Sequence, residues 1–161
     1  MSRSTPGRRA VRYASVEEIL PDVDRLAAGH ITVGHWSLAQ ICNHLAFAFD
    51  ASVDGFPTRP LPALLRATAG RLILWRMLKV ERIIEGAWLP KSLRPADRLD
   101  EAREIDALRK AAARFVADPA PKGVHPFFGP LDRERWHQYH RVHCAHHLSF
   151  VVPWSEALAA R

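Results

Sequence analysis

Trp136 to Phe150 reads W-H-Q-Y-H-R-V-H-C-A-H-H-L-S-F and holds five of the chain's nine histidines: His137, His140, His143, His146 and His147. At about 100° per residue, Trp136, His143, His147 and Phe150 share a helical arc of roughly 60°. His143 and His147 stand one turn apart. That spacing lets two imidazoles face one metal ion while the aromatic residues anchor the same face in a core. A further imidazole, His44, lies near the middle of the apolar arc of a much earlier helical stretch. Ala48 and Ala51 lie on its own side, and such small neighbours leave room beside the ring.

If the two helices pack side by side, His44, His143 and His147 converge inside the domain. Three neutral nitrogen ligands suit a divalent metal ion, Zn²⁺ or Ni²⁺ first. They leave coordination positions for water or substrate, as catalytic rather than structural sites do. The ion would lower the pKa of a bound water or thiol and polarise a carbonyl. His140, on the edge of the same face, is a candidate to orient a ligand or handle a proton, set against the plainer reading of a partly buried histidine. His146 reads as a packing or interface residue and His137 as solvent-facing. His125, ahead of Pro126, reads as a surface-loop histidine or a closure over the site. His30 and His35 carry no spacing signal, and Cys42 and Cys144 project away from the ligand directions. H-E-x-x-H, GxGxxG, P-loop, nucleophile-elbow and CxxC patterns are absent, so a general base would be His140 or metal-bound hydroxide.

The elements that must position these residues are helical. S-V-E-E at Ser15 and S-L-A-Q at Ser37 are capping boxes. They predict helices over 15–28, kinked or restarted by Pro21, and over 37–54, stopped by Gly55. A third helix is expected over 63–80, where Gly70 weakens it or lets another helix approach. A long crossing segment spans 87–95, and a fourth helix is expected over 97–117. The loop 118–130 carries Val124, Phe127 and Phe128 and is expected to fold back over the helices near the site mouth. With Trp88, those phenylalanines are candidate pocket residues. Asp132 caps the last helix, expected to reach about Val152. No strand run is convincing. The reading is an all-α domain over 15–161, a bundle of four main helices with a short or kinked first element, preceded by a flexible basic arm over 1–14.

The chain has 161 residues and a net charge of +6, with basic residues spread out except over Arg3–Arg12. That run reads as a solvated tail, ahead of a nucleic-acid arm, which no recognition motif accompanies. No signal-peptide core follows it, and the longest apolar stretch, 72–80, is far too short for a span, so no membrane partner is expected. Two cysteines without a disulfide pattern suit a reducing, cytoplasmic setting.

W-S-L-A-Q-I-C-N-H-L (36–45) resembles the second-helix motif of the DinB/YfiT-like metal-binding helix bundles. H-P-F-F-G-P-L followed by W-x6-H-x2-H-H-L (125–148) resembles the end of an uncharacterised branch of that superfamily. The resemblance implies an up-and-down bundle with a long crossover and a metal site at His44, His143 and His147. It also implies a homodimer and, from characterised relatives, thiol-dependent transfer or isomerisation with a low-molecular-weight thiol. The R-G-Q signature that often follows the final histidine is replaced by H-L-S-F. Three functions compete: a metal-dependent transferase, isomerase or hydrolase acting on a small molecule; a non-catalytic metal-binding or stress-response module; and, third, a nucleic-acid binder.

Overall fold

The computed structural model describes residues 5–86, 93–120 and 123–159, and these are mostly helical. The first helix, α1 (Ile19–Ala27), starts later than the Ser15 capping box predicts, because the Glu18 carboxylate accepts the Ala14 N–H instead. Pro21 falls in its first turn, where backbone N–H groups have no intrahelical partner, so it neither kinks nor restarts the helix. After β1 (His30–Thr32) comes α2 (Leu38–Asp54), where the Ser37/Gln40 capping box forms in full. The third helical stretch runs as α3 (Ala63–Leu65), a π-turn (Arg66–Gly70) and α4 (Arg71–Val80). A Cβ at Gly70 would collide with the Phe127 carbonyl, so the close approach is made by a loop rather than a helix.

The expected crossing segment lies, over 87–92, outside the described residues. α5 (Glu101–Ala117) begins at Asp100, whose carboxylate accepts the Arg103 N–H, rather than at Asp97. The following loop does fold back: β2 (Val124–His125) pairs antiparallel with β3 (Gly129–Pro130). Gly123 ties it down by donating its N–H to the Ser52 carbonyl at 2.9 Å. Next comes α6 (Arg133–Leu148), capped by Asp132. It stops short of the expected Val152 because β4 (Val151–Pro153) pairs antiparallel with β1, placing Ile31 opposite Val152. Three-residue strands are too short for alternation to reveal them. A short α7 (Trp154–Ala159) follows.

The core lies where α2 is covered by α5 on one side and by α6 on another, with α1 and α4 against α6. Phe49, Phe115, Trp136, Leu108 and Leu148 are its fully buried centre. The β1–β4 ribbon joins the chain just before α2 to the chain just after α6. It therefore fixes the ends of the two helices that carry the candidate ligands.

The flexible-arm expectation is corrected for residues 5–14, which dock on the domain. Arg9 pairs bidentately with Asp22 at 2.8 and 3.1 Å, and Tyr13 donates to the same carboxylate at 2.6 Å. Arg8 and Arg9 also donate to the His146 and Leu148 carbonyls at 3.1 and 3.2 Å. They satisfy the free acceptors at the C-terminus of α6, where a helix dipole favours cations. These two members of the basic run thus serve the last helix and are not displayed for nucleic acid. Among the described residues no helix is long and apolar enough to cross a membrane.

Candidate metal centre

His44 is held by the middle of α2, and His143 and His147 by successive turns of α6. Both helices turn these faces inward because the flanking positions are apolar. Leu45, Ala48 and Leu148 are buried beside the histidines. Nε2 of His44 lies 3.1 Å from Nε2 of His143. The His147 ring centroid is 4.7 Å from that of His44 and 4.8 Å from that of His143. One nitrogen from each ring lies within 4.8 Å of the others. It is the only group of three or more histidine, cysteine or acidic side chains so placed among the described residues.

The ring orientations have identifiable causes. His44 donates its Nδ1–H to the Leu93 carbonyl at 3.2 Å, which leaves the Nε2 lone pair directed at the cluster. Trp36 lies flat against His147, at 5.4 Å between centroids and 10° between planes, and tilts over His44. The ribbon places Trp36 there: Val33 N–H donates to the Phe150 carbonyl, bringing the chain ahead of α2 over the end of α6. Burial holds all three imidazoles below their usual pKa, and for His143 and His147 the neighbouring rings push the same way. The three are neutral near pH 7, the form that ligates metal.

These residues fit a divalent ion. Two imidazole nitrogens about 2.0–2.1 Å from one tetrahedral Zn²⁺ stand roughly 3.3 Å apart, close to the His44–His143 spacing of 3.1 Å. A hydrogen bond between two Nε2 atoms requires one of them to carry a proton. A cation between them does not, and it serves three neutral rings at once. Nδ1 of His143 is buried without a hydrogen-bond partner, so no protein acceptor fixes its tautomer.

The remaining histidines do other work. His140 is fully buried, stacked on Phe49 at 4.0 Å, with Nε2 3.1 Å from the Ser52 hydroxyl. No ring contact or hydrogen bond joins it to the three, which corrects its candidacy as their orienting partner. His125 is buried rather than on a surface loop: its Nδ1 accepts the Phe127 and Phe128 N–H groups at 3.2 and 3.3 Å. Phe128 stacks on it at 4.3 Å, so the β2–β3 hairpin closes over Trp136 and Tyr139, and Tyr139 in turn lies 5.1 Å from the His143 ring. His146 packs as expected, against Arg8 and Phe150. His137 is half-buried against Phe115 rather than solvent-facing. His30 bonds the Leu26 carbonyl, and His35 is exposed. Cys42 and Cys144 are buried outside the cluster, and burial pushes the Cys42 thiol up to about 12. Trp88 lies outside the described residues.

Sequence reasoning missed Trp36 and Leu93 as site residues. Trp36 heads the W-S-L-A-Q stretch and was open to notice. A backbone carbonyl such as that of Leu93 has no sequence signature.

No curated protein and no solved structure matches the chain. Residues 6–154, a span that includes all three clustered histidines, match the family described as a protein of unknown function (DUF1569), and the chain belongs to that family.

Proposed function

We propose that this protein is a metal-dependent enzyme in which His44, His143 and His147 hold one divalent ion, zinc or nickel. The observation that carries the reading is the convergence of three neutral imidazoles from two helices, with no carboxylate or thiolate in the cluster among the described residues. A set of three protein ligands leaves room for an exogenous one. A bound ion would activate a water or thiol there and polarise a substrate carbonyl. The reaction class that suits is transfer, isomerisation or hydrolysis of a small molecule, with a low-molecular-weight thiol as cosubstrate. In the same reading the helices form a DinB/YfiT-like bundle with the long crossover between α4 and α5, and the chain acts as a homodimer in the cytoplasm. The mixed helical packing of α1, α2, α4, α5 and α6 supports the bundle.

The competing reading is a closed, non-catalytic metal module. Its supporting observation is that His44 and His143 are only 6% and 7% exposed, with Trp36 lying across His147. Cobalt substitution separates the two. Titrating a small thiol onto the cobalt form of tag-free protein should shift its visible absorption if a coordination position is open. An unchanged spectrum with cobalt bound would favour the closed module and end the enzymatic reading.

A further inference from the structure

The stretch from Arg59 to Ile84 is unlike the rest of the surface. Its helical part, α3 through α4, touches the domain mainly through Gly70, Leu74 and Met77. Outward it exposes Leu64 (75%), Leu72 (64%), Ile73 (57%) and Trp75 (57%), and Ile84 (70%) follows. Interleaved with them are Arg59, Arg66, Arg71, Arg76, Lys79 and Arg82, against the single acid Glu81. Glu81 is itself taken by Arg12 and Arg141. Among the described residues none of those six cations has a carboxylate partner. Elsewhere Asp22, Asp24, Asp50, Asp54, Asp106 and Glu85 are all paired. Six cations against one acid give this stretch a net charge of +5, against +6 for the whole chain.

We propose that this face docks, helix axis in the plane, on a membrane surface bearing anionic lipid. Exposed leucines, isoleucine and tryptophan interleaved with arginine and lysine suit the boundary between headgroups and acyl chains. Lys79 lies over the Trp75 ring at 4.9 Å, so its charge reaches outward along an aromatic body. Beside the face, a groove of about 580 Å³ between α4 and α6 is lined by Arg71, Lys79, Arg135, Arg141 and the acid Glu81 over Leu74 and Trp75. Arg141 is paired with Glu81 and Arg135 with Asp132, which leaves Arg71 and Lys79 as its cations without a carboxylate among the described residues. Those two cations above an apolar floor suit lipid phosphates. Charge argues against a second copy as the occupant, because a two-fold contact would set six cations against six. The expectation that no membrane is a partner is thereby revised: the short apolar run excludes a span and leaves surface contact open.

Sedimentation of the full chain with vesicles tests this. Phosphatidylcholine vesicles should retain little protein. Vesicles that also contain phosphatidylserine should retain at least tenfold more at low salt, and lose most of it at about 0.5 M salt. Leu72→Glu/Ile73→Glu and, separately, Arg71→Gln/Arg76→Gln should each abolish retention. Circular dichroism should be unchanged in both, since all four side chains are exposed. Trp75→Phe should remove a blue shift in tryptophan emission on vesicle binding. Absence of a phosphatidylserine preference, or retention undiminished in both double variants, would overturn the proposal. So would a wild-type dimer that Leu72→Glu/Ile73→Glu converts to monomer.

Discussion

Helix α6 carries two kinds of buried histidine, separated by less than a turn. His140 has aromatic neighbours, Phe49, Phe115 and Trp136, and one nitrogen satisfied by Ser52. His125, on the hairpin across from it, accepts two backbone N–H groups. His143 and His147 instead turn towards His44, imidazole to imidazole. All of these rings are desolvated, and burial lowers the pKa of each. Burial of an imidazole therefore does not identify a ligand. The partner of its nitrogen is the better guide: a hydroxyl or backbone amide marks a structural ring, and other imidazole nitrogens mark a set that could hold a metal ion.

The hairpin histidine should be one source of acid sensitivity in metal-free protein, beside the other buried rings, whose pKa values burial also lowers. Burial lowers His125 from 6.5 to about 3. Between those values the unfolded chain binds a proton and the folded one does not, so stability is full above about pH 6.5 and falls as pH drops towards 3. The loss for this one group is on the order of 4 kcal/mol. Urea unfolding from pH 7 to pH 4 should show it, and His125→Phe should make the dependence shallower by that share, leaving the part due to the other buried histidines. A pH-independent midpoint would remove the structural role assigned to His125.

His140→Ala should cost about 3 kcal/mol, because it empties a fully buried ring site. His140→Phe should recover most of that by keeping the stack on Phe49. A smaller loss, about 2 kcal/mol, is expected for Gly123→Ala, whose Cβ would press on the Ala51 and Ser52 carbonyl oxygens beneath the hairpin. Denaturant midpoints measure both. If either His140 variant loses metal while remaining folded, the separation between the two histidine groups fails.

The three clustered histidines were legible in the sequence because helical phase is a local property. His143 and His147 share a face through their spacing, and His44 declares itself by standing in an apolar arc. The capping residues Ser37 and Asp132 were legible for the same reason, each bonding within three residues. The docking of Arg8 and Arg9 depends on carbonyls more than a hundred positions away, which no local pattern encodes. His125 was misplaced because a loop has no periodicity to report which way a side chain turns. The β1–β4 ribbon was invisible at three residues a strand, yet it brings Trp36 onto His147.

Metal binding by the three histidines can be read from calorimetric titration of zinc into chelator-treated, tag-free protein, run beside His44→Ala, His143→Ala, His147→Ala and His140→Phe. The wild type and His140→Phe should each bind one ion per chain, and the three alanine variants none. No uptake by the folded wild type, or equal uptake by the alanine variants, would contradict that binding role.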